Sequence, residues 1–127
     1  MTIEDVIKVA TIKESGGDLY AMGDNGKAYG VLQIQQACLT DVNRANATRH
    51  VLSSLLGNKT LSEWVFRRYM ALYARPERFG RPVTPLDMAG IWNGGPAGWR
   101  KAVTLGYRGD FATKALALGM DPYTPVV

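Results

Sequence analysis

Glu14 is the residue whose type and position best suit it to chemistry. Ile3, Val6, Ile7 and Ala10 recur at helical spacing on one apolar face, and one more turn along that face lands on Glu14, just ahead of Gly16-Gly17. A carboxyl at the tip of an apolar stripe is partly withdrawn from water, which disfavours its charged form and raises its pKa. A carboxyl kept protonated near neutral pH can give a proton to a leaving oxygen and afterwards take one back. Three further segments carry candidate partners: Ser15 beside it, Gln33 within Gly30-Val31-Leu32-Gln33-Ile34, and Trp92-Asn93 within Ala89-Gly90-Ile91-Trp92-Asn93-Gly94-Gly95. Asp24, ahead of Asn25-Gly26, is a candidate second carboxylate.

Each of these residues also has a plainer reading. Glu14 would be a surface acid near a helix end, where the helix dipole slightly disfavours it. Ser15 would be a helix-terminus residue, Gly30 a strand-to-helix joint, Gln33 a solvent-facing side chain and Trp92 part of the core. Asn93 would be a helix C-cap, and Asp24 a turn-former, since Asp before Asn-Gly is ordinary turn chemistry.

The elements that must position these residues are mostly helical. Thr2 with Asp5 forms a start signal for the first helix, which Gly16-Gly17 ends. Asp24-Asn25-Gly26 predicts a small β-hairpin between Tyr20 and Tyr29, with Asn-Gly as a two-residue turn. A helix follows Val31-Leu32-Gln33-Ile34 and runs to about Asn46. Thr60 with Glu63 opens another, which stops before Pro76. Thr84-Pro85-Leu86-Asp87 starts a helix that must stop at Asn93-Gly94-Gly95-Pro96. A last helix from Asp110 covers Phe111 to Leu118, and residues 119 to 127 form an extended tail. The expected fold class is mainly α, of the α+β type: five to six helices and one small hairpin in a single domain, residues 1 to 127.

Composition narrows the partners. The 127 residues are 46% hydrophobic, and no apolar run approaches the ~20 residues of a membrane span, so a soluble globular protein and no membrane span are expected. The net charge of +4 and pI near 9.4 favour an anionic partner. The basic residues are scattered, so no nucleic acid is expected. Cys38 stands alone and cannot form an intramolecular disulfide, and Met1 runs into Thr2-Ile3-Glu4-Asp5 with no signal-peptide pattern. His50 has no Cys or acid cluster at ligand spacing, and no phosphate-binding glycine loop is present, so no metal and no cofactor are expected.

Taken in order, the segments around Glu14-Ser15, Gly30 to Gln33 and Ile91-Trp92-Asn93 resemble the lytic transglycosylase and goose-type lysozyme families over residues 3 to 97. Those families share a Glu-Ser pair ending a helix, a Gly-Leu-Met-Gln-like segment and an Ala-Tyr-Asn segment; here Val31-Leu32 replaces Leu-Met, and Trp92 stands where Tyr would. The resemblance implies a lysozyme-like fold and a monomeric enzyme that degrades peptidoglycan glycan strands. Glu14 would protonate the bond between N-acetylmuramic acid and N-acetylglucosamine and then act as base. Ser15, Tyr29, Gly30, Gln33, Trp92 and Asn93 would contact the sugar.

Two routes stay open within this resemblance. A lytic transglycosylase would use Glu14 alone and leave 1,6-anhydro ends. A muramidase would add Asp24 as the second carboxylate, roughly 5 to 10 Å from the first. A non-catalytic peptidoglycan-binding virion module is the third possibility. The expected setting is synthesis in the cytoplasm followed by action on the bacterial cell wall, as a bacteriophage enzyme carried in the virion or released at lysis, or as a bacterial enzyme whose leader has been removed.

Overall fold

Helix α1 (Ile3–Ser15) starts as its first residues require. The Asp5 amide donates to Thr2 Oγ1 at 3.2 Å, and the Thr2 amide donates to Asp5 Oδ2 at 2.9 Å, so two orphan donors of the first turn are satisfied reciprocally. The computed structural model describes residues 1–127 and contains six α-helices, short 3-10 turns and one two-stranded antiparallel sheet, the mainly helical α+β class expected. The chain divides into two compact units: residues 1–10 with 70–127, and residues 11–69.

The second unit, residues 11–69, holds the end of α1, the strands β1 (Met22–Gly23) and β2 (Ala28–Tyr29), helix α2 (Gln36–Asn46), a 3-10 turn (Leu52–Leu55) and the first part of α3 (Lys59–Tyr73). Val31, Leu32, Ile34, Leu39, Val42, Leu55, Val65 and Phe66 are among its buried apolar residues. Each contributes roughly 1.5 to 3 kcal/mol by leaving water, and such burial must support strands only two residues long. The helix α3 opens two residues earlier than Thr60 suggests. Asn58 Oδ1 accepts from the Leu61 amide at 3.0 Å and so caps the helix, leaving Thr60 inside the first turn.

The hairpin turn also differs from expectation. The strands pair Met22 with Tyr29 and Gly23 with Ala28, so the loop has four residues. Asp24, Asn25 and Gly26 all take positive φ (50°, 55° and 79°), with Gly23 O accepting from the amides of Gly26 and Lys27. Asp and Asn tolerate that conformation better than other side chains because they are short and polar, which explains the sequence found there.

The first unit, residues 1–10 and 70–127, contains the start of α1, the end of α3, α4 (Pro76–Phe79), α5 (Pro85–Gly94), two 3-10 turns (Gly98–Arg100 and Ala102–Thr104) and α6 (Leu105–Ala117). Val6, Ile7, Val9, Ala10, Met70, Met88, Ile91, Phe111 and Ala115 are buried here. Helix α5 is capped as expected: Thr84 and Asp87 exchange backbone and side-chain hydrogen bonds, with Pro85 at the first position. Its backbone lies against the turn at 98–100 so tightly that a Cβ on Gly98 would sit 2.0 Å from Gly90 O, which excludes any other residue there. Helix α6 begins at Leu105 rather than Asp110, because the preceding 3-10 turn leads directly into it and carries it through Gly106 and Gly109. The final residues turn at 118–119 and bend at 122–124, where Asp121 Oδ1 accepts from the Tyr123 and Thr124 amides, and the Val126 amide donates to Val83 O at 2.8 Å. No helix is long and apolar enough to cross a membrane.

Candidate functional site

Glu14 lies half-buried one residue before the end of α1. Burial pushes its carboxyl up to about 7, and the nearby positive charge of Lys13 offsets only part of that rise. No hydrogen-bond donor meets this carboxyl, so nothing favours its ionised form as a hydrogen bond would. Near neutral pH it is a mixture of a carboxylic acid, which can donate a hydrogen bond or a proton, and a carboxylate, which can only accept.

The residues around it in sequence are held by backbone contacts. Ser15 Oγ donates to Val31 O at 2.7 Å and accepts from the Gly17 amide at 3.1 Å, which ties the end of α1 to the segment after the hairpin. Gln33 Nε2 donates to Ala21 O at 3.1 Å and Gly30 O at 2.9 Å, so its two N–H donors clip the loop after Glu14 to the hairpin exit. Its carbonyl oxygen is packed against Gly23, where a Cβ would lie 2.3 Å away. Gly30 is buried with φ of 79°, and a Cβ there would lie 2.9 Å from Leu55 O and 3.3 Å from Ser62 Oγ. Backbone crowding thus accounts for this glycine without a ligand. Tyr29 pairs with Ile34 through two backbone hydrogen bonds and is half-buried.

Asp24 is exposed on the hairpin turn, and its Oδ2 accepts from Gln35 Nε2 at 3.0 Å. Trp92 and Asn93 belong to the other unit, in the last turn of α5, half-buried and exposed respectively; the helix ends at Gly94, and Gly95 with φ of 84° provides the cap expected of Asn93.

Tyr20 escaped notice in the sequence. Its side chain lies over Gly57, where a Cβ would come within 2.8 to 2.9 Å of the phenol ring, yet Tyr20 stays 69% exposed, so much of the ring faces solvent. The Asp18 side chain accepts from its amide at 2.9 Å, and the Gly57 amide donates to Leu19 O at 2.8 Å, which fixes the loop beneath the ring. An exposed aromatic a few residues after Glu14, with a glycine elsewhere to seat it, is the signal that could have found it.

The remaining reactive side chains have structural roles. Burial pushes the Cys38 thiol up to about 12, which leaves it protonated and inert. His50 meets Trp64 edge to face at 5.4 Å, and its backbone is held by Asn43. No group of three or more His, Cys, Asp or Glu residues is placed to hold a metal ion.

This combination defines a mainly helical α+β fold with a half-buried carboxyl at the end of its first helix. No protein family profile and no curated protein matches the sequence. Solved structures do: the complex of Aeromonas hydrophila PliI with Meretrix lusoria lysozyme aligns with a TM-score of 0.76 and 24% identity, over 94% of this chain and 96% of that chain. Inhibitor-bound lysozyme from Meretrix lusoria aligns with a TM-score of 0.73 at the same identity and coverage. At this identity the likeness shows a shared fold.

These matches correct the expectation of a peptidoglycan-cleaving enzyme. They record lysozyme and its inhibitor PliI in complex, an inhibitory interaction rather than cleavage, and neither is a lytic transglycosylase. The assignments as lytic transglycosylase, lyase, muramidase or endolysin are therefore withdrawn. Ser15 and Gln33, sugar contacts in the resemblance, direct their donors to backbone carbonyls.

Proposed function

We propose that this chain binds peptidoglycan glycan strands through the Glu14 site. The observation that carries the reading is the carboxyl of Glu14, raised to about 7 by burial with no donor to satisfy it. Such a group, kept neutral, donates a hydrogen bond to an ether, hydroxyl or acetamido oxygen of a sugar. The Tyr20 ring offers an apolar face of the kind that packs on the C–H side of a pyranose. Ser15 and Gln33 position these two groups, since their bonds hold the helix end and the loop after it.

Co-sedimentation with purified sacculi and with peptide-free glycan strands tests this reading. Binding is expected to weaken as pH rises through 7, because deprotonation removes the donor. Glu14→Gln, whose amide also donates, is expected to bind and to lose that pH dependence; Glu14→Ala is expected to bind poorly. Equal binding by wild type and Glu14→Ala would sink the assignment. So would release of soluble muropeptides, detected by mass spectrometry, because turnover and not retention would then be the activity.

The solved complexes favour a second reading, a protein contact of the lysozyme–inhibitor kind. Titration of the chain against Meretrix lusoria lysozyme and against PliI, followed by size-exclusion chromatography, checks it; a co-eluting complex supports it and separate elution of all three removes it.

A further inference from the structure

One stretch of the chain carries more cations than acids. Residues 75 to 108 carry Arg75, Arg78, Arg81, Arg100, Lys101 and Arg108 against only Glu77 and Asp87, a net charge of +4 that equals the whole chain's. The other nine cations are matched by nine acids. The eight charged residues of this segment all lie in the unit formed by residues 1–10 and 70–127.

Within this segment the acids are already engaged. Arg81 forms a two-pronged pair with Asp87 at 2.7 and 2.9 Å, and Arg75 lies 3.7 Å from Glu77. The other four cations make their contacts with neutral groups. Arg78 donates to Tyr73 O at 2.6 Å, and Lys101 to Gly94 O at 2.9 Å. Arg108 donates to Thr104 Oγ1 at 2.9 Å and Lys101 O at 3.0 Å. Arg100 lies over the Trp99 ring, 5.6 Å from its centroid. Carbonyls and ring faces orient a cation without cancelling its charge, so these contacts hold uncompensated positive groups in place at a surface where Arg78, Arg100 and Lys101 are exposed.

The middle of the cluster is closed to stacking ligands. Trp99 meets Phe79 edge to face at 4.5 Å and also carries the guanidinium of Arg81 at 5.8 Å. A nucleic-acid base would need an open aromatic face there. A chain of separated carboxylates needs only cations at its edges.

We propose that this face docks the carboxylate-bearing peptides of peptidoglycan, a function distinct from the glycan contact at Glu14 though it rests on the reading of the protein as a cell-wall binder. Attraction between fixed cations and a flexible polyanion acts on encounter and falls with added salt. The face would hold the wall polymer by its peptides whichever sugar sits elsewhere.

The test compares the full-length chain with an Arg100→Gln/Lys101→Gln double variant on three probes: intact sacculi, sacculi whose carboxylates have been converted to amides, and peptide-free glycan strands. The double variant is expected to bind intact sacculi about tenfold more weakly at low salt, with the gap closing as salt rises. It is expected to match wild type on amidated sacculi. The charge-preserving Arg100→Lys/Lys101→Arg variant is expected to restore binding, which separates charge from misfolding. Undiminished binding of intact sacculi by the double variant would overturn the proposal, as would equal binding of intact and amidated sacculi by wild type. Stronger competition by duplex DNA than by poly-L-glutamate of equal charge would overturn it in favour of a nucleic-acid face. Failure of the glycan reading shows separately, as wild type failing to bind peptide-free strands.

Discussion

Two buried carboxyls, one in each unit, have been pushed in opposite directions. Asp87 is 4% exposed, and burial alone would raise its pKa. Hydrogen bonds from Arg81 and from the backbone and side chain of Thr84 outweigh that, and hold the group below the ordinary carboxylate range. Glu14 is less deeply buried and lacks any donor, so desolvation prevails and its pKa rises to about 7. Depth of burial therefore does not decide the protonation state here; the donors do. Asp87 serves the fold, as the cap of α5 and the partner of Arg81, while Glu14 is left with its hydrogen-bonding capacity unused by the protein.

The largest expected effect probes the Asp87 side of this contrast. Asp87→Ala removes a cap and leaves the Arg81 guanidinium without its carboxylate, which should cost about 3 kcal/mol in urea unfolding at pH 7; a loss under about 0.5 kcal/mol would show that the pair is ornamental. The sign of its pH dependence is fixed by the depressed pKa. The stabilisation is present above the unfolded value and is lost as acid titrates the group through its lower folded value.

Glu14 should behave in the opposite sense. Its folded pKa of about 7 exceeds the model-peptide value of 4.5, so the folded state binds more protons between those limits and stability falls as pH rises across them. Glu14→Gln should therefore be more stable than wild type by about 3 kcal/mol at pH 8 and indistinguishable from it at pH 4. Thermal melts at the two pH values check this, and equal melting at pH 8 would mean that the carboxyl is better solvated than its surroundings imply.

A smaller loss, about 2 kcal/mol, is expected for Gly30→Ala, which forces a side chain into positive φ and against Leu55 O. It should displace the segment that Ser15 grips, and so lower the Glu14 pKa by admitting water; an NMR titration of Glu14 in this variant reads that directly. The smallest effect belongs to Tyr20→Ala. Its ring is mostly exposed, so stability should hardly change, while glycan-strand affinity should drop by about 1 kcal/mol, or several-fold. A large stability loss with unchanged affinity would make Tyr20 a packing residue of the loop.

Much of the helical framework could be read before any coordinates. Thr2 with Asp5, Gly16-Gly17, Pro76 and Thr84-Pro85-Leu86-Asp87 mark helix ends through interactions three or four residues apart. The α6 start was misplaced because the 3-10 turn leading into Leu105 has no such local marker, and Gly106 and Gly109 disguise the helix. Among the site residues, only the placement of Glu14 was legible in full, since it follows from continuing one periodic stripe. Tyr20 went unnoticed because its seat, Gly57, is far along the chain.

What the sequence by itself determined is thus the part governed by neighbours: the helices, their caps and the carboxyl at the end of the first. The partners of Ser15, Gln33 and Arg100, the necessity of glycine at position 30 and the opposite shifts of Glu14 and Asp87 were decided only by the tertiary structure. Ser15 reaches Val31 across 16 residues and Gln33 reaches Ala21 across 12. A side-chain donor takes whichever acceptor folding brings within about 3 Å, and a carboxyl titrates according to the water and donors it is left with; neither quantity exists until distant segments have met.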